Sequence, residues 1–159
     1  LKKYMKQFII GVNIEGAVKG KKIQDIDLEE ICKGLKKVHK SIQIIILTSP
    51  EKLERVNQLV KKMGHSYVSS SYKTSKILDV AALIKNLDII ITPDTSISHI
   101  ASAFDKPVVT IHENNQDSFQ LFAPTSPLSK TVFSTEKNSL AGYDVQKVIE
   151  LSNQLINKI

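Results

Sequence analysis

The chain is poor in the residues that staple, ligate or stack: among 159 residues there are one cysteine, no tryptophan and two methionines. A single cysteine, Cys32, excludes an internal disulfide, and its place within a periodic apolar segment predicts a buried thiol. No group of cysteines and histidines has the spacing of a structural metal site. No apolar run reaches the ~18 residues of a membrane helix and no signal-peptide pattern is present, so the expectation is no membrane span and a cytoplasmic setting. Four tyrosines and five phenylalanines, several at core positions, build no aromatic platform among lysines scattered over several segments. A nucleic-acid partner is therefore not expected, although 22 basic residues keep a basic nucleic-acid-binding domain as the least favoured alternative. The phosphate-cradling G-x-x-x-x-G-K-[ST] and the dinucleotide G-x-G-x-x-G are both missing, and His112 and Asp117 form no triad with any nucleophile in view.

What remains is an ordinary globular composition, 42% hydrophobic and 24% charged, in one domain's worth of chain. The net charge of +6 suits anionic ligands or an anionic membrane surface. The chain opens on Leu1 rather than methionine and enters its first strand candidate at Gln7, which points to a fragment or domain of something longer.

Strand and helix signals alternate throughout. Continuous apolar, largely β-branched runs at residues 7–13, 43–47, 88–92 and 107–111 read as strands, with a short third strand at 66–68 and a last edge strand at 131–133. Between them lie helical patterns: Asp25 or Asp27 to about Lys40; Pro50 to Gly64, the latter a left-handed terminator; Ser75 to Leu87; and a last helix capped by Asp144. The third helix is expected to face inward through Ile77, Val80, Ala81 and Ile84. His112 to Ser129 reads as irregular. The expected fold is an α/β, Rossmann-like doubly wound parallel sheet of five to six strands with helices on both faces. Right-handed crossovers favour the strand order 3-2-1-4-5-6. The loops after the first and fourth strands then share the crevice at the switch point.

The fourth strand leads into the richest stretch, Thr92-Pro-Asp-Thr-Ser-Ile-Ser-His99. Proline stops the ladder, and Asp94 is a candidate N-cap. Ile97, Ile100, Ala101 and Phe104 recur on one helical face, with Thr95, Ser96 and His99 elsewhere. A capping acid, hydroxyls and an imidazole at a helix start, at the carboxyl end of a strand, suit an anion. The bland alternative is a capping acid and a surface histidine.

The run from Asp94 to Val109 resembles the D-T-G-x-x-H-x-A-A-x-x-x-P-V-V segment of glycosyltransferase family 9, the heptosyltransferase-type enzymes of GT-B fold. The likeness rests on Asp94, Thr95, His99, Ala101, Ala103 and Pro107, and departs at Ser96, where the family has glycine. The resemblance implies that Asp94, Thr95, Ser96, Ile97 and His99 hold the diphosphate of a nucleotide-activated sugar. It implies too that the lysine loop of Lys19, Lys21 and Lys22 meets the phosphates from across the crevice. Thr48, Ser49 and Glu51 would border base and ribose, with Glu51 or Glu54 on the ribose hydroxyls. The family's glycine turn is replaced at residues 112–117 by His-Glu-Asn-Asn-Gln-Asp, side chains that could read sugar hydroxyls or form a divergent surface loop.

By the same resemblance this is the nucleotide-sugar donor-binding domain, residues 1–159, of an enzyme passing a sugar to a lipopolysaccharide or related glycan acceptor. Heptose with ADP is the family's commonest pairing. No cofactor or metal is implied. The general base is expected on an N-terminal acceptor domain absent from this chain, so the catalytic residue is unknown and the chain alone is expected to be inactive. Peripheral association with the inner membrane surface fits such an acceptor. The principal alternative is a non-catalytic nucleotide-sugar-binding or interaction module of the same fold.

Overall fold

The structure is a computed structural model, and it describes residues 7–159 except residues 17 and 19. Lys19 therefore lies outside the described residues. Among the described residues six strands and six α-helices alternate: β1 (Phe8–Asn13), α1 (Asp25–Val38), β2 (Ile42–Leu47), α2 (Leu53–Met63), β3 (Val68–Ser70), α3 (Ile77–Lys85), β4 (Ile89–Pro93), α4 (Ser96–Ala103), β5 (Val108–His112), α5 (Gln116–Phe122), β6 (Ser129–Phe133) and α6 (Val145–Ile156). All strand pairings are parallel and the order is β3-β2-β1-β4-β5-β6, as the alternation and crossover rule require. The chain doubles back between β3 and β4, which puts β1 beside β4 at the switch point.

Period-2 alternation sends the β-branched strands to both faces of the sheet. Ile10, Val12, Ile44, Ile46, Ile89 and Ile91 pack in one core with Leu28, Ile31 and Leu35 of α1 and Val148, Leu151 and Leu155 of α6. Ile9, Ile45, Ile90 and Val108 face the opposite way, onto Leu83 and Ile84 of α3 and Ala101 of α4. Gly34 lets α1 meet α6: a Cβ there would lie 2.5 Å from Ile149 Cδ1. Cys32 is fully buried in the first core, and burial pushes its thiol up to about 12. No helix of the described residues is long and apolar enough to cross a membrane.

Local capping signals hold at Asp144, whose carboxylate accepts from the Lys147 N–H at 3.1 Å, and at Gly64, which ends α2 with φ of 66°. Other details differ from expectation. Asp25 and Asp27 sit in the first turn of α1, and Gln24 precedes the helix with no side-chain cap. Asp25 instead meets Arg55 at 2.6 Å, and Asp27 accepts from the Tyr143 hydroxyl at 2.8 Å. The third strand is displaced to Val68–Ser70, and a short helix, α5, occupies part of the segment expected to be irregular. In α3, Ile77 and Leu78 are exposed, and the inward face runs through Val80, Leu83 and Ile84 to Leu87 beyond its end. Asp79 sets this start by accepting from the N–H groups of Ser75 and Lys76 at 2.8 and 3.0 Å. In α4 the most buried face is Ser98, Ala101 and Ser102, with Ile97 and Ile100 half-buried and Phe104 exposed. Both serines can be buried because their hydroxyls bond back to carbonyls one turn earlier, at 2.7 and 2.9 Å.

A candidate ligand cleft at the switch point

A cleft of about 570 Å³ opens at the carboxyl ends of β1, β2, β3 and β4. Each wall comes from the residue at which a strand lets go of the sheet. Asn13 ends β1, Leu47 ends β2 and is followed by Thr48, Ser49 and Pro50, Ser71 follows β3, and Thr95, Ser96 and Ile97 begin α4. Val80 and Leu83 of α3 supply an apolar side, and Thr74, Ser75 and Lys76 a polar lip. A cavity that is mainly apolar with a few convergent polar groups is the usual form of a small-molecule site.

The polar groups are held by one another. Asn13 Nδ2 donates to the Glu15 carbonyl at 2.9 Å and to Thr92 Oγ1 at 3.0 Å, tying the loop after β1 to the end of β4. Thr95, not Asp94, caps α4: its backbone is extended and its Oγ1 accepts from the Ile97 N–H at 3.1 Å. The Ser98 N–H is taken by the Thr95 carbonyl at 3.1 Å. The amides of Thr95 and Ser96 have no protein acceptor among the described residues, so the positive end of the helix dipole is presented to the cleft there. Ser96 opens α4 in helical conformation and is not among the described non-glycine residues with positive φ. The backbone at this position thus does not demand glycine. Ser71 is 5% exposed and lines the cleft, and its hydroxyl has no hydrogen-bond partner among the described residues.

Asp94 turns away from the helix start. Its Oδ2 lies 3.1 Å from Nε2 of His112, the last residue of β5, though the ring N–H is not well aligned and the contact is more a charge pair than a hydrogen bond. Nδ1 of the same ring lies 3.1 Å from the Glu113 carbonyl. With an acceptor at each nitrogen the imidazolium fits best. Burial opposes that charge, yet Asp94 and the Glu113 carbonyl outweigh it and raise the His112 pKa. Phe119 and Phe133 pack on the ring with centroids 5.3 and 6.1 Å away. His112 and Glu113 are thus interior groups, 1% and 7% exposed, and neither reads a ligand from a surface loop.

Of the residues singled out in the sequence, the structure brings Thr48, Ser49, Thr95, Ser96 and Ile97 together around the cleft. Glu51 is exposed and outside the lining. His99 is exposed on α4, beyond the lining. Lys21 points to Glu113, its Nζ 2.7 Å from Oε2, and Lys22 is exposed. The lysine loop reaches the cleft through Glu15 and Gly16 instead, and Glu15 is held by Lys52 at 2.5 Å. Asn13, Ser71 and residues 74–76 escaped the sequence reading. The run of serines after β3 was a signal for Ser71 and its neighbours but not for Asn13, and Lys76 is the cleft-lining lysine with no carboxylate partner among the described residues.

Comparison with known proteins agrees with this architecture. The family model described as glycosyltransferase family 9 (heptosyltransferase) matches residues 29–150. None of the curated protein sequences matches the chain. Among solved structures, ADP-heptose LPS heptosyltransferase II of E. coli superposes with a TM-score of 0.78 at 19% identity, over 96% of this chain and 47% of that one. E. coli heptosyltransferase WaaC with ADP gives 0.76 at 19% identity, over 94% and 44%. The S. aureus MnaA–UDP co-structure gives 0.64 at 18% identity, over 96% and 38%. At such identities the likeness is one of fold, and the chain spans less than half the length of each of these structures.

Proposed function

This chain belongs to glycosyltransferase family 9, the heptosyltransferase family, and we propose that it is the half of a GT-B enzyme that binds the nucleotide-sugar donor. The observation that carries the reading is the switch-point cleft itself. Its lining combines a helix start whose two amides are uncommitted among the described residues with an apolar side and the hydroxyls of Thr48, Ser49, Ser71 and Thr74. A nucleoside diphosphate pairs the same two characters: a doubly charged group at one end and a flat base at the other.

In this reading the diphosphate lies against Thr95 and Ser96, where fixed amide dipoles meet the charge that grows on the leaving group as the glycosidic bond breaks. Lys76 supplies a mobile cation at the lip, and His99 one turn along α4 is a further donor within the same neighbourhood. Thr48 and Ser49 offer hydroxyls to the ribose, while Leu47, Val80 and Leu83 cover a face of the base. Sugar and acceptor would meet outside residues 1–159, on a second domain that supplies the general base. Lipopolysaccharide or a related glycan is the proposed acceptor, and an ADP-linked heptose the first donor to try.

A thermal-shift screen of ADP, UDP, GDP and CMP conjugates tests the reading, since a ligand that binds only the native state raises the melting temperature. One base class should stabilise the chain, and Thr95→Ala should remove most of the shift. A flat response across all four would sink donor binding. It would favour the second reading, a non-catalytic module, which is supported by the internal pairing of Lys21 with Glu113.

A further inference from the structure

The Lys21–Glu113 pair lies in a telling place. Lys21 belongs to the loop after β1, Glu113 directly follows β5, and β4 runs between those two strands. Their 2.7 Å contact therefore joins the β1 side to the β5 side across the carboxyl end of β4, the strand that leads into Thr95 and Ser96. The Glu113 side chain is 8% exposed, and among the described residues its Oε2 has no aligned hydrogen bond. A carboxylate so little exposed gains from the cation beside it, and Lys21, itself 23% exposed, can be drawn away at a cost. Lys21 in turn is held in position by Gly16, where a Cβ would lie 1.6 Å from the Lys21 carbonyl oxygen, so the loop is folded tightly on itself.

We propose that Glu113 is an internal anion that competes with the donor diphosphate for Lys21 and so sets the affinity of the cleft. The proposal rests on the donor-site reading above. With no donor bound, Glu113 holds Lys21 across the end of β4. A diphosphate arriving at Thr95 and Ser96 brings a second anion to the same neighbourhood, and Lys21 swings to it. Nucleotide binding then carries the cost of parting the pair, and donors with more phosphate charge overcome that cost best. Glu113 is thus an affinity-determining residue that holds donor binding below what Lys21 and the helix start would otherwise give.

The experiment is calorimetric titration of ADP, AMP and inorganic pyrophosphate, with UDP in place of ADP if the base screen selects it. The proteins are wild type, Glu113→Gln, Lys21→Met and the double variant, each checked for folding by its melting curve. Glu113→Gln should bind the diphosphate about five-fold more tightly, the scale of one modest ion pair, and the gain should vanish when Lys21→Met is added. Glu113→Asp keeps the charge but withdraws it by one methylene, and should give part of the gain, which serves if the glutamine variant folds poorly. Unchanged or weaker binding by both Glu113 variants overturns the competition while leaving the donor site standing. A gain that survives in the double variant also overturns it, since relief of general repulsion then suffices. No binding by any of the four proteins removes the donor-site reading and this proposal together.

Discussion

The two sides of β4 solve the same problem in opposite ways. Toward β1, β2 and β3 the strand ends expose polar groups left unmatched among the described residues: the amides of Thr95 and Ser96, the Ser71 hydroxyl, and Lys76 at the lip. Toward β5 the charges are matched within the fold, Asp94 with His112 and Glu113 with Lys21. Unmatched polar groups around an apolar slot are costly in an empty protein, and a ligand supplies their partners. Matched pairs need no ligand, and without one they hold the end of β4 in place. The cleft side should therefore govern affinity and the Asp94–His112 pair stability, while the Lys21–Glu113 pair sets the cost of its own parting against donor binding.

The largest effect expected is an absence. Residues 1–159 on their own should transfer no sugar even when saturated with donor, because the acceptor and base lie elsewhere in the proposal; transfer above the uncatalysed background in a product assay would refute this. Next comes His112→Ala, which removes a buried ring from between Phe119 and Phe133 and strands Asp94. It should cost about 2–4 kcal/mol in denaturant unfolding while folded protein keeps its nucleotide affinity within a factor of ~3. A large loss of affinity with little loss of stability would erase the distinction between the two sides.

Thr95→Ala should show the reverse balance. Loss of the cap costs roughly 1 kcal/mol of stability, whereas nucleotide binding should weaken about ten-fold because the presented amides lose their anchor. Equal, small effects on both would argue that the helix start is merely structural. A pH series sharpens the paired side. The raised His112 pKa means that its contribution is fully present below the unfolded value of ~6.5 and is lost as pH rises through the folded value. Melting temperature should thus decline on the alkaline side of that window, and His112→Phe should flatten the decline while keeping the aromatic packing. The smallest effect belongs to His99→Ala, about two-fold in nucleotide affinity, because the side chain is exposed and outside the lining. A loss as large as that of Thr95→Ala would mean that His99 closes onto the diphosphate when it binds.

The register of α4 illustrates how far local signals carry. Ile97, Ile100, Ala101 and Phe104 have the spacing of a buried face, yet Ser98 and Ser102 lie deeper than Phe104. Their hydroxyls satisfy themselves on the helix backbone, and Ser102 Oγ also accepts from the Ser126 N–H at 3.1 Å, 24 residues away. Periodicity could not weigh that contact against an aromatic ring. The same limit applies at Asp94, which reads as a cap beside its helix until His112 arrives from the neighbouring strand.

Sequence by itself determined the parallel sheet and its order, since β-branched runs separated by helical periods leave few ways to wind a chain with right-handed crossovers. It determined as well that hydroxyls would gather at the end of β4, and it carried the family likeness later matched over residues 29–150. Only the tertiary structure decided which charges would be spent on each other. Lys21 and Glu113, like Asp94 and His112, sit on different loops or strands, and ion pairing acts through space at a few ångströms rather than along the chain.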